Sequence, residues 1–500
     1  MTTTARVTNF GANVSFTPQS VYAPRSEAEL LEIMARHAQS RFRVVGRTHA
    51  WSPLIESSEV LLDLRHLDQV TVEASVTQND SMTRNDSVTQ PTAWVGAGCQ
   101  IKHILEKLAA AGDWMLPALG LITEQALAGA MSTGTHGSGR HSLSHYALEV
   151  RIAGFDAITG QPVIRTVSDP RELRAARCAL GLLGVIVAIK LPIRRQFQVE
   201  EFFYRYTDLE QVLAQEAEYP LQQFYMVPYR WDFFAQQRRE STLPRSWSAP
   251  LYRLFWSVGM DRIFHWMLMA CGRRYLPQFC NYWFFRAVMP CLLPQNWRVV
   301  DRADRQLIME HELYRHIETE IFVTRGDLRA ALDVTIWLLK RFSGEQASAP
   351  ACWSENPVCD VMTSEVEAAA GTYFQHYVIC VRKVLPDDTL ISMAAGTEPY
   401  YAISLISYEL PERRAGYFEF ARIWATALYE LYAGRPHWGK YCPLPAVTLS
   451  QLYPRWSEFV AIAKKYDPPG QFANAWLRNS LKEMPHLAGY GGDNLEISTI

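Results

Sequence analysis

Residues Leu119 to Gly139 read LGLITEQALAGAMSTGTHGSG. Gly120, Gly129, Gly134, Gly137 and Gly139 alternate there with Ser132, Thr133, Thr135 and Ser138. A stretch so rich in glycine and small hydroxyl residues is expected to form a loop that buries little apolar surface. It lets backbone N–H groups come very close to a ligand, because glycine has no Cβ. A succession of such N–H groups makes an anion-binding concavity suited to a pyrophosphate. The spacing matches neither GxGxxG after a strand nor GxxxxGK[ST], which excludes the Rossmann and P-loop readings. On this stretch alone, a Gly/Ser loop without a ligand is an equally good reading.

A second loop lies upstream. Arg43 to Pro53 reads RVVGRTHAWSP, β-branched residues leading into a glycine and a polar turn with His49. This predicts a strand that ends in a tight loop presenting a histidine. Such a histidine alone is more often structural than functional. The chain of 500 residues is long enough for two or three domains. With 48% hydrophobic and 20% charged residues it can bury a sizeable core. A net charge of −2 gives nucleic acid nothing to bind. Nine cysteines without CxxC or regular spacing read as reduced thiols of a cytoplasmic protein. The N-terminus has no basic start followed by an apolar run, so no signal peptide is expected. No metal-ligand spacing stands out.

Ser26 is expected to cap a helix, with Glu29 completing a capping box and Leu30, Leu31, Ile33 and Met34 on its apolar face. Val60, Leu62 and Leu64 predict a short strand. Residues 73–90 are polar without a packing face and read as an extended hairpin tip or a disordered insertion. Trp94 to Gly98 predicts a strand. Ile101, Ile104, Leu105 and Leu108 predict a helix with Gly112 just past its end. Leu148 to Phe155, Val163 to Val167 and Val185 to Pro192 alternate like strands. Residues 245–300 are dense in aromatics and arginine. Their apolar runs break at Asp261, Arg262, Arg273, Arg274 and Arg286, with Pro277 and Pro290 besides. A bilayer span needs about 20 apolar residues, so the expectation is helical hairpins packed inside a cap. An interfacial amphipathic helix, giving peripheral membrane contact, stays open.

Together the two loops resemble the cofactor loops of the vanillyl-alcohol oxidase / p-cresol methylhydroxylase flavoproteins. Within them the chain resembles the FAD-dependent sugar-1,4-lactone oxidases (gulonolactone and arabinonolactone oxidases, with alditol oxidases as near relatives). Three more segments carry the likeness: CALGLLGVIV before residue 188, VRKVLPDDTLISMAAGTEPYYAISLISY from Val381, and RPHWGK from Arg435. Motif by motif it covers about four-fifths of the chain.

The resemblance implies an α+β architecture. A PCMH-type FAD-binding domain is expected over 1–200. A cap or substrate domain with an antiparallel sheet follows over 201–430, carrying the aromatic helical insertion 245–300. A C-terminal segment, 431–480, returns to the flavin, and 481–500 is a tail. FAD is expected to be held by Val45, Gly46, Arg47, Thr48, His49 and Ala50, with a covalent bond through His49. It is also expected to be held by Pro117, Gly120, Gly129, Ser132, Thr133, Gly134, Thr135, His136, Gly137 and Gly139, by Gly184, Val185 and Ile186, and by His437 and Lys440. Glu320, Arg382 and Lys440 are expected to be catalytic. The implied reaction is hydride transfer from a CH–OH group of an aldono-1,4-lactone to flavin N5, with O₂ as acceptor giving H₂O₂, or with another electron acceptor as in a dehydrogenase. Three departures stand out. Thr48 replaces a glycine beside the histidine, Ala50 replaces a serine, and Cys380 replaces the glutamate of an E-x-R motif whose arginine is Arg382. A thiol is a weak hydrogen-bond partner for a sugar hydroxyl. Two other readings therefore stand beside the lactone: a polyol or less polar alcohol as substrate, and a flavin-binding protein with a degraded site.

Overall fold

An eight-stranded antiparallel sheet forms the floor on which the site is built. Its strands run in the order Val299–Arg302, Gln198–Tyr206, Phe233–Ser241, Gln223–Met226, Ile379–Val384, Tyr400–Ser407, Ile317–Thr324 and Arg435–Pro436. One of its faces packs against the helices Leu328–Phe342 and Ala415–Tyr432, which bury Leu332, Leu338, Phe420 and Trp424. Because strand side chains alternate between faces, Glu318, Glu320 and Phe322 share the opposite face. Register then aligns that face across four strands: Tyr225 lies opposite Cys380, Cys380 opposite Ser404, and Ser404 opposite Glu320. A slip of one residue would turn the whole row into the helical layer.

A five-stranded antiparallel sheet, in the order Pro162–Val167, Glu149–Phe155, Val185–Pro192, Thr92–Gly96 and Val70–Glu73, carries the glycine stretch. A small parallel sheet of Ser20–Tyr22, Val60–Asp63 and Phe42–Val45 carries the His49 loop. This is the expected α+β architecture. The computed structural model describes residues 6–73, 90–273, 275, 278–309 and 314–482. Apart from its two ends, the polar 73–90 stretch lies outside the described residues, as does all but the start of the 481–500 tail.

The helix Glu27–Arg36 begins as its sequence demands, with the Ser26 hydroxyl accepting the Glu29 N–H at 3.2 Å. The box closes one residue early, because the Glu29 carboxylate takes the Arg25 N–H rather than that of the cap. The helix Ile101–Gly112 includes Gly112, and the left-handed residue that ends it is Asp113, at φ 56°. The glycine stretch is also not loop throughout. Leu127–Ser132 forms a short helix whose Leu127, Ala128, Ala130 and Met131 are buried, so its small residues serve close packing as well as ligand approach. The aromatic insertion is helical over residues 249–272 and 278–292. Its inner side is packed as expected, whereas its outer side exposes large apolar residues.

Candidate active site

The polar face of the large sheet and the glycine-rich loops enclose one continuous cavity of about 1620 Å³, counting its open mouth. Most of the residues singled out from the sequence meet here. Gly46, Arg47, Thr48, His49 and Ala50 line it from the first loop, and Gly120, Gly129, Ser132, Thr133, Thr135 and His136 from the second. Gly184, Ile186, His437 and Lys440 complete the loop side, and Glu320 and Arg382 stand on the sheet side.

Six do not line it. Val45 is in a small core with Val14, Ile55 and Leu61. Pro117 and Gly137 border a separate small cavity. Gly134 turns the chain at φ 74° beside Met393. Gly139 runs under the Pro220 carbonyl, 1.7 Å from where a Cβ would stand, so its need for glycine is internal. Val185 is fully buried in the five-stranded sheet.

The loop side has the marks of a cofactor cradle. A Cβ added at Gly129 would meet no protein atom within 4 Å, so this glycine leaves room for something outside the protein. At Gly46, by contrast, an added Cβ would lie 2.5 Å from that of Ala126, which sets how closely the two loops approach each other. Thr48 has φ 52°, in the left-handed region that a β-branched residue avoids. Its carbonyl accepts the Phe10 N–H at 2.9 Å, which holds the turn despite strain of about 1–3 kcal/mol. His49 is half-buried against the Phe10 ring, with centroids 5.3 Å apart. Arg43, unremarked in the sequence, is fully buried beneath this loop. Its guanidinium donates to the Phe472 and Leu180 carbonyls at 2.7 and 3.1 Å. Burial pushes its pKa down to about 10.

The sheet side carries a buried cluster of ion pairs. Arg382 donates to Glu320 Oε1 at 2.6 Å, and Lys440 pairs with Glu318, which also accepts from the Ser404 hydroxyl. Lys440 lies over the Trp51 ring, 4.7 Å from its centroid. Glu318 was passed over in the sequence, although its spacing of two from Glu320 on a strand puts both on one face. His437 and Lys440 reach these carboxylates because the His437 N–H donates to the Glu320 carbonyl and the Tyr441 N–H to that of Glu318, each at 2.9 Å.

Burial works against a charge on Glu320, yet the Arg382 guanidinium, then His136 and Lys440, hold its carboxyl well below the ordinary range. Burial pushes His437 well below the ordinary histidine value, opposed by Glu320 and helped by Lys440. Its Nδ1 accepts the Gly439 N–H at 3.0 Å, so the neutral ring carries its proton on Nε2. Burial raises the Cys380 thiol to about 11, which leaves it an uncharged, weak donor at neutral pH. Glu320 Oε2 and Arg382 Nε are buried without a hydrogen-bond partner, an acceptor and a donor on adjoining groups.

Donor atoms of His136, Glu320 and His437 also lie within 4.8 Å of one another. A metal ion there would sit beside the Arg382 guanidinium and the Lys440 ammonium, whose charges oppose a cation. The set suits hydrogen bonding to a neutral ligand better than it suits a cation.

Comparison with known proteins agrees with this geometry. A family model described as D-arabinono-1,4-lactone oxidase matches residues 191–480, and one described as FAD binding domain matches residues 18–160. The chain is 44% identical to a long-chain alcohol oxidase from an uncultured marine euryarchaeote, covering 94% of this chain and 95% of that protein. It is 27% identical to an L-gulono-1,4-lactone dehydrogenase of Mycobacterium tuberculosis, over 93% and 96% of the two chains. Among solved structures, a solvent-stable cholesterol oxidase shares the fold, with a TM-score of 0.70 and 14% identity over 95% of this chain and 97% of that one. This chain therefore belongs to the FAD-dependent sugar-1,4-lactone oxidase family of the vanillyl-alcohol oxidase / p-cresol methylhydroxylase flavoproteins, and is an FAD-dependent oxidoreductase.

Proposed function

We propose that this enzyme oxidises the CH–OH group of a long, mainly apolar alcohol, with O₂ as acceptor, rather than a sugar lactone. One observation carries the reading: the cavity has few hydrogen-bond acceptors left for a polyhydroxylated ligand. Glu318 and one oxygen of Glu320 are committed to cations, and Cys380 stands where the resemblance expects a third carboxylate. A site built to bind sugar hydroxyls leaves its polar groups matched to them, because unpaired buried groups are penalised. Here Tyr225, Tyr377, Ile406 and Met309 share the wall with Cys380. The 44% identical relative is named for long-chain alcohols, in line with such a wall.

Bound FAD supplies the acceptor for the hydride of the carbinol carbon. Gly46 to Ala50, Gly120, Gly129, Ser132, Thr133, Thr135, His136, Gly184 and Ile186 would hold it, His49 would attach to it covalently, and Lys440 would offset negative charge gained on reduction. Arg382 donates to the substrate oxygen through Nε, and Glu320 Oε2 accepts its hydroxyl proton. A carboxylate held so far below its ordinary value is a weak base. That suffices, because the hydroxyl becomes strongly acidic as the hydride leaves. Neutral His437 keeps its Nε2–H as a further donor.

The deciding experiment is an anaerobic titration of the oxidised protein with long-chain primary alcohols, L-gulono-1,4-lactone, D-arabinono-1,4-lactone and xylitol. Bleaching of the flavin bands by the alcohols alone is expected. Bleaching by a lactone at lower concentration than by any alcohol would overturn the reading. Readmitted air should restore the bands.

A further inference from the structure

We infer that a second, smaller cavity beside the active site receives the hydrocarbon chain of the alcohol. The inference rests on the alcohol reading above and adds to it where the chain runs. This side cavity, of about 460 Å³ counting its mouth, is the one bordered by Pro117 and Gly137. Met115, Leu116 and Leu119 line it from the chain that enters the glycine stretch, and Phe197, Leu221 and Leu307 from three other segments. Four polar residues also line it, and each has a partner within the protein. The Ser138 hydroxyl donates to the Gln222 carbonyl, Arg140 pairs with Glu240, and Arg238 pairs with Glu201. The Gln223 amide donates to the Tyr225 hydroxyl and to Gln236 Oε1, each at 2.6 Å. A polyhydroxylated ligand would find these groups engaged, and its own hydroxyls would lose water for little return. A hydrocarbon asks nothing of them, and its burial is favourable in itself.

The same segments wall both cavities. Leu121 lines the two together. Tyr225 lines the active site, and Gln223, two residues earlier on the same face of its strand, lines the side cavity. Met309 lines the first and Leu307 the second, and the Met309 N–H ties this segment to the Leu121 carbonyl at 2.9 Å. Gln223 lies directly opposite Arg382 in the sheet register. The side cavity therefore begins beside the guanidinium that takes the substrate oxygen, one row further along the polar face. Half-buried Leu121 stands at the junction that a chain would pass. The other apolar wall offers no such continuation. Tyr377 and Ile406 belong to a second core, packed with Phe264, Leu268 and Phe285, which closes behind them.

The test is binding of a series of straight-chain primary amides, butanamide to dodecanamide, to the oxidised, FAD-loaded protein, followed by the shift of the flavin absorption bands. An amide accepts from Arg382 and donates to Glu320 as an alcohol does, but it has no carbinol hydride to give. In the wild-type protein affinity is expected to rise about fourfold for each methylene buried. In Ala118→Phe, which fills the side cavity, the rise should stop several carbons earlier, with flavin content and butanamide binding unchanged. Leu307→Trp fills the same space from a half-buried position, and decides if the first variant fails to fold. A rise that runs to the same length in both variants as in the wild type would overturn the side cavity as the chain's site and leave the alcohol reading standing. So would a rise cut short by Ile406→Trp and not by the side-cavity variants. No rise with chain length in the wild type would overturn the side cavity and the alcohol reading together.

Discussion

The four buried charges of the site, Glu318, Glu320, Arg382 and Lys440, sum to zero, and each is tolerable only because of its partner. Removing one member of a buried pair strands the other, at roughly 3–5 kcal/mol. Lys440→Met is therefore expected to lower unfolding free energy by about that amount, read by urea titration. It should also slow flavin reduction about a hundredfold, the size of effect seen when a preorganised charge near reacting atoms is lost. Adding Glu318→Gln should restore the stability, since no lone carboxylate remains, but not the rate. Recovery of both would show that Lys440 acts only as a counter-ion to Glu318. Histidines set the acid limit. Burial lowers His316 from the ordinary 6.5 to about 4, and His437 also falls. In this window the unfolded chain takes up protons that the native state refuses, so stability is full above pH 6.5 and is lost as pH falls towards 4. The His316 share is about 3 kcal/mol, at 1.4 kcal/mol for each unit. Chemical denaturation at pH 7 and pH 4.5 should show the loss, and His316→Gln should flatten the slope.

At the scale of elements, the glycines of the two loops fall into separate classes. Gly46 and Gly139 are required by neighbouring protein atoms, whereas Gly129 faces open space within a helix. Gly129→Leu is expected to leave the apo-protein's melting temperature unchanged or slightly raised, because glycine costs a helix about 0.8–1.0 kcal/mol relative to alanine and leucine ranks next to alanine. The same change should abolish FAD uptake, followed by quenching of flavin fluorescence. Gly46→Val should unfold the apo-protein as well. Uptake of FAD by the Gly129 variant at wild-type affinity would show that the cofactor does not pass this point. The sequence made the loops legible because one combines a β-branched strand with a glycine turn and the other is dense in glycine and hydroxyl residues, signals a few residues long. It misplaced the short helix Leu127–Ser132, because glycine and serine lower helix propensity while burial of Leu127 and Met131 outweighs it.

Over the whole molecule, the C-terminal part of the chain clasps the first cofactor loop. The Phe42 N–H donates to the Gln471 carbonyl at 2.8 Å, the Trp51 N–H to that of Gly439 at 2.9 Å, and the Ser52 hydroxyl to that of Trp438 at 2.7 Å. Arg43 joins three segments through the Leu180 and Phe472 carbonyls. Arg43→Met removes a charge that burial opposes but orphans two buried carbonyls, each worth about 1–3 kcal/mol. The carbonyls should prevail, with a net loss of about 2 kcal/mol in calorimetry and weaker retention of FAD. Such ties explain what could be read from residues alone. The glycine stretch, the His49 turn and the capped helix at Glu27–Arg36 are written in local residue patterns, and the resemblance carried by the two loops implied the fold class. The ion pairs were decided by tertiary structure alone. Arg382 finds Glu320 across 62 residues and Lys440 finds Glu318 across 122. Nothing local in either segment encodes the partner. Strand register and the return of Arg435–Pro436 to the sheet edge bring the four groups onto one face, and a buried charge is stable only where that register supplies its counter-ion.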